Sequence, residues 1–122
     1  FQKGLGAIHA ISHPIGAVFN THHGTTNAVV MQPVLRMNRP AIEERLAKAA
    51  AYLDIVGGSD GFYDFVGKLN EELNIPSSLT ALGVTDPDID ALVASALQDP
   101  SCGGNPIELN KENVTQLLRD CF

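Results

Sequence analysis

Gly6-Ala7-Ile8-His9-Ala10-Ile11-Ser12-His13-Pro14-Ile15-Gly16-Ala17-Val18 is rich in Ala and Ile and apolar on nearly all sides, the pattern of a helix buried inside a domain. The helix predicted over residues 4–18 carries Pro14 within it, where a ring lacking an N–H should kink the axis. Asn20-Thr21 then supplies turn and capping chemistry. His22 to Met37 reads as a second helix that buries Ala28, Val29, Val30, Met31, Val34 and Leu35 and loses one backbone bond at Pro33. Together the two segments form a hairpin of apolar helices.

Downstream the pattern becomes conventionally amphipathic. Pro40 suits the first position of a new helix, with Ile42, Leu46, Ala50 and Leu53 on one stripe. Gly57-Gly58-Ser59-Asp60 reads as a C-cap glycine followed by the cap of the next helix, whose stripe is Phe62, Phe65, Val66, Leu69 and Leu73. Asn74-Ile75-Pro76 stops it, and residues 77–84 leave room for one helical turn. Thr85-Asp86-Pro87 begins a helix with Ile89, Leu92, Val93, Ala96 and Leu97, and Asn110 caps a last one with Val114, Leu117, Leu118 and Cys121. Between them Cys102-Gly103-Gly104-Asn105-Pro106 is an irregular loop. With no sustained strand alternation and no repeat, residues 1–122 are expected to form one all-α bundle of about six or seven helices.

The composition narrows the function. An apolar fraction of 44% and 18% charged residues are those of an ordinary globular domain, and the net charge of −6 comes without any basic run. A nucleic-acid or anionic-membrane partner is therefore not expected. No apolar run approaches the roughly 20 residues of a bilayer span, and no secretory leader is visible, so a cytoplasmic location is expected. Two cysteines far apart in sequence fit reduced thiols better than a disulfide framework. The chain lacks an initial Met and runs from Phe1 into helix-like sequence without a cap, which reads as the interior of a longer polypeptide.

All four histidines, His9, His13, His22 and His23, fall in one short stretch. His9 and His13 are four apart and share a helix face, and the turn at Asn20-Thr21 can return His23 toward His9. Imidazole is a common ligand of zinc and ferrous iron, and such an ion needs further donors, for which no nearby carboxylate is evident. The same spacing also suits hydrogen-bonded structural histidines at a helix interface, and the pattern alone leaves both readings open.

Residues 6–17, followed by Thr21-His22-His23-Gly24-Thr25-Thr26-Asn27-Ala28, resemble the signature of the iron-dependent (group III) alcohol dehydrogenases. Weaker similarity continues through Val34-Leu35-Arg36-Met37-Asn38, Leu82-Gly83-Val84 and Cys102-Gly103-Gly104-Asn105-Pro106. The resemblance implies the helical C-terminal domain of a two-domain, dehydroquinate-synthase-like enzyme. It implies His9 and His23 as two metal ligands, with an Asp and a His supplied upstream, and His13 beside the metal as a proton-relay or positioning group. Cys102 would lie near the substrate channel, and His22, where many relatives have proline, would point away. Ile107 stands where many relatives carry Arg, so a contact made by that Arg does not carry over.

The implied activity is hydride transfer between an alcohol or aldehyde and NAD or NADP, with Fe2+, or alternatively Zn2+, as Lewis acid. The nucleotide would bind mainly to an absent N-terminal domain, since no Gly-rich turn here follows a strand. The fragment alone should be inactive, and its uncovered apolar face should drive homo-oligomers. Two alternatives stand beside this reading. One is a metal-independent, maleylacetate-reductase-like oxidoreductase. The other is a non-catalytic helical module binding a metal or a partner, which would need a natural start near Phe1 and a complete ligand set of its own.

Overall fold

The computed structural model of the chain describes residues 6–85 and 87–122. The expected start of the first helix at Gly4, and Asp86 of the Thr85-Asp86-Pro87 signal, lie outside them. Six α-helices follow one another: α1 (Ala7–Phe19), α2 (His23–Tyr52), α3 (Gly58–Glu72), α4 (Leu79–Leu82), α5 (Ile89–Gln98) and α6 (Lys111–Cys121). A 3-10 turn, Pro100–Gly104, joins α5 to the segment before α6, and there is no strand among the described residues. The all-α architecture is thus the one the periodicity predicts.

α1 buries Ala7, Ala10, Ile11, Ser12, Pro14 and Ile15, and Pro14 sits inside a helix that continues past it. It ends at Asn20, whose φ of 55° is left-handed and whose N–H donates to Gly16 O. Asn is one of the few side chains that tolerates this conformation, so the chain reverses there. The cap of α2 is His22, not Asn20 or Thr21: its ring accepts from the Thr25 N–H.

The expected break between a helix ending at Met37 and another starting at Pro40 is not present. α2 runs unbroken for 30 residues, with Pro33 and Pro40 inside it, and is roughly 45 Å long. Each proline withholds only its own N–H, and its fixed φ is already helical. α2 packs against α1, α3, α4 and α6, and this tertiary support outweighs the local cost of the prolines.

The core lies between α1, the first half of α2, α4, α5 and α6, where Ile11, Ile15, Val30, Leu79, Val93, Val114, Leu117 and Leu118 are fully buried. α5 starts at Ile89 with Asp88 as cap, slightly later than Thr85-Asp86-Pro87 predicts. Asn110 and Asn113 cap α6 reciprocally. At the other end Gly57, with φ 106°, caps α3 directly, whereas α2 closes earlier, around Leu53 and the left-handed Asp54. A pair of amides clasps the bundle: Asn38 and Asn105 donate to each other at 2.8 and 2.7 Å, and Asn105 Oδ1 also accepts from Ala7 N–H at the start of α1. No helix among the described residues is long and apolar enough to cross a membrane.

Candidate metal centre

α1 and α2 form the expected hairpin, and three imidazoles gather where α1 meets the start of α2. The ring centroids of His9, His13 and His23 lie 5.6 Å (His9–His13), 5.4 Å (His9–His23) and 5.6 Å (His13–His23) apart. His9 and His13 come from successive turns of one face of α1, and His23 is the first residue of α2. His22 is outside this triangle, with its Nδ1 on the backbone N–H and hydroxyl of Thr25.

Asn27, one turn beyond His23, identifies the point where two of the rings converge. Its Nδ2 lies 3.1 Å from Nε2 of His23 and 3.5 Å from Nε2 of His9. An amide nitrogen only donates, so both imidazoles present an Nε2 lone pair to one locus. Asn27 Oδ1, by contrast, is buried without a hydrogen-bond partner among the described residues, which marks a polar site with an unmet demand. Burial lowers the pKa of His9, as do His13 and His23, against an opposing pull from Asp99. The neutral ring that results is the form that ligates a metal.

His13 faces a different partner. Its Nδ1 lies 2.8 Å from Oδ2 of Asp99, which follows α5 directly. The expectation that no carboxylate is near the histidines is therefore corrected: Asp99 is there, brought across 86 positions by the packing of α5 on α1. Its Oδ1 accepts the Ser101 N–H at 2.8 Å. Partial burial disfavours the Asp99 charge, but hydrogen bonds from Ser101 and His13 outweigh it and hold the carboxyl below its usual value. Neither Asp99 nor Asn27 was among the sequence-derived candidates, and Asp99 carries no local motif beyond a turn signal.

Cys102 sits half-buried in the 3-10 turn, where burial and the Asp99 carboxylate push its thiol up. That shift favours the thiol over the thiolate. Gly57 is the N-cap of α3 and Gly58 its first residue, so the pair is not the C-cap glycine of α2 that the sequence suggests.

The donor set fits half of a divalent-metal site. His9 and His23 turn their Nε2 atoms to a common point, while among the described residues no group of three or more His, Cys, Asp or Glu is arranged to hold an ion. The third ring, His13, has Nδ1 committed to Asp99.

Residues 2–122 match the model of the C-terminal domain of the Fe-containing alcohol dehydrogenase family. The chain is 36% identical over 126 residues to lactaldehyde reductase of Escherichia coli (strain K12), covering 98% of this chain and 33% of that protein. It superposes on 1,3-propanediol oxidoreductase with a TM-score of 0.89 at 29% identity, covering 97% of this chain and 33% of that one. Maleylacetate reductase from Agrobacterium tumefaciens superposes with a TM-score of 0.74 at 30% identity, covering 98% and 32%. The chain thus spans about a third of the length of the relatives it matches. With a helical bundle, a histidine hairpin and a family match over nearly its full length, the chain belongs to the iron-containing alcohol dehydrogenase family, as its C-terminal domain.

Proposed function

We propose that this chain is the C-terminal part of a metal-dependent, NAD(P)-linked alcohol dehydrogenase that transfers hydride between an alcohol or aldehyde and nicotinamide. The observation that supports it is the convergence of two imidazole Nε2 atoms, on His9 and His23, beside a third ring that is held by a carboxylate. His9 and His23 would hold the ion through Nε2, with an Asp and a His from an upstream helix completing the shell; Fe2+ is the preferred ion and Zn2+ the alternative. The chemistry such an ion supplies is Lewis-acid polarisation of the substrate oxygen.

The chain's own residues do the rest. His9 stays uncharged because it is partly buried beside two other imidazoles, so a proton does not compete for its lone pair. On alcohol oxidation the carbon gives a hydride to nicotinamide and the hydroxyl gives a proton to a base; His13, next to the ligand pair and exposed on its outer side, takes that proton toward solvent. Cys102, a neutral thiol, borders the substrate channel by contact alone. The nicotinamide nucleotide binds mainly to an N-terminal domain, the location is cytoplasmic, the working form is a homo-oligomer and residues 1–122 alone are inactive.

The metal-independent, maleylacetate-reductase-like reading is weaker, because the backbone follows 1,3-propanediol oxidoreductase more closely than maleylacetate reductase. A free-standing metal module would need a full ligand set, which the described residues lack. The test is the metal content of the intact polypeptide purified without oxygen, beside its His23→Ala variant. About one equivalent of iron or zinc per chain in the wild type, lost in the variant, is the expected result. Equal or absent metal in both would sink the dehydrogenase reading.

A further inference from the structure

We propose that Asp99 is a positioning residue of this site: by accepting the Nδ1–H of His13 it fixes that ring in one orientation and one tautomer, leaving Nε2 as the free acceptor. An ionised carboxylate has no hydrogen to offer, so at 2.8 Å from Oδ2 the Nδ1 of His13 must be the donor. Asp99 is built for the task. It caps the 3-10 turn with Oδ1 on the Ser101 N–H, and Pro100 follows it in the first position of that turn. The two oxygens thus have separate partners, one backbone and one imidazole. Asp99 is also the more enclosed partner, with a side-chain exposure of 12% against 41% for His13. The more exposed ring is therefore tied to the more enclosed carboxylate.

The placement bears on proton movement. An open groove of about 320 Å3 is lined by His13, Pro14, Ala17, Val18, Ser95 and Asp99, whereas His9 and His23 do not line it. His13 consequently stands between the ligand pair and a solvent-filled groove, with Asp99 on the groove side. A proton accepted on Nε2 leaves a doubly protonated ring whose positive charge faces the Asp99 carboxylate, and release of that same Nε2 proton restores the starting tautomer with the Nδ1–Asp99 bond intact.

The substitution that separates positioning from structure is Asp99→Asn. Its amide oxygen can keep the Ser101 cap, while its NH2 group faces Nδ1 of His13 and forces that nitrogen to accept, which reverses the tautomer. The experiment records 15N chemical shifts of labelled histidine in the intact enzyme, together with kcat, KM and bound metal. In the wild type His13 should carry its hydrogen on Nδ1, and in Asp99→Asn on Nε2. In the variant kcat should fall by about 100-fold or more, in line with other Asp→Asn changes at a carboxylate that orients a histidine, with KM and metal content within about twofold. A wild-type His13 protonated on Nε2, or a variant whose kcat stays within about threefold of wild type, would overturn the assignment. The wild-type spectrum decides the first point even if the variant does not fold. The kinetic effect rests on the dehydrogenase reading above, but the tautomer does not: a wild type without metal-linked alcohol oxidation would refute that reading while the spectra still judge Asp99.

Discussion

The thiol of Cys121 is 2% exposed among the core side chains of α6, and burial, with Asp120 beside it, pushes its pKa up to about 12 from an ordinary 9.0. Between these values the unfolded chain has lost a proton that the folded chain keeps, so stability must fall as pH rises through that window, by up to about 1.4 kcal/mol per pH unit. Below it the effect is absent. Cys121→Ala removes the titration at the cost of a small cavity. The stability gap between wild type and this variant, from chemical denaturation of the intact protein at about pH 8 and about pH 10.5, should narrow by roughly 2 kcal/mol. An unchanged gap would show that the thiol does not couple ionisation to folding. At this scale the histidine triangle was legible, because its spacing along α1 and its return across a short turn are local. Asp99 was not, since only the tertiary packing of α5 on α1 brings it to His13. Asn27 lay within the matched stretch, but an amide one turn past a histidine has no distinctive sequence signal; its meaning comes from lying between two Nε2 atoms.

At the level of elements, α3 is set against the end of α2 by one glycine. A Cβ on Gly61 would lie 2.0 Å from Val56 O and 2.9 Å from its carbonyl carbon, both backbone atoms that cannot swing aside. Gly61→Ala should therefore cost about 2–4 kcal/mol, despite the general helix preference for Ala. Gly103, with nothing near its added Cβ, is the control, and Gly103→Ala should stay within about 0.5 kcal/mol. Thermal unfolding of both variants checks the contrast; equal midpoints would mean that the α2–α3 junction relaxes without penalty. The identity of most helices was readable from periodicity and caps, as Asn110 shows. The length of α2 was not. Pro40 looks the same at the start of a helix as within one, and the choice was made by α1, α3, α4 and α6 packed along α2 and by buried Asn38 clasping Asn105.

For the molecule as a whole, the apolar surface is unevenly covered. α3 contributes only Ser59 and Val66 to the buried set, and along its outer side Phe65, Leu69 and Leu73 are 42%, 40% and 61% exposed. Tyr52, Leu53 and Val56, at the end of α2, are 89%, 52% and 93% exposed. Large side chains scattered singly need no partner, but Leu69 and Leu73 are one turn apart and Phe65 one turn before them, so they form a continuous strip. The residues of a one-sided stripe were visible in the sequence, but whether the stripe faces inward depends on what else is present to cover it. Water contact along that strip favours association of two copies through α3, with a net charge of −6 too small to prevent it at physiological salt. Light scattering of the isolated 122-residue chain should therefore show dimers or larger species whose population rises with concentration. Leu69→Lys with Leu73→Lys places two ammonium groups on the strip and should shift the population toward monomer, while the helical circular dichroism stays unchanged because both side chains already reach solvent. A clean wild-type monomer at high concentration would rule out self-association, and association that survives both lysines would move the contact from α3 to the Tyr52–Val56 end of α2 or to Val18, which is 67% exposed beside the histidine site.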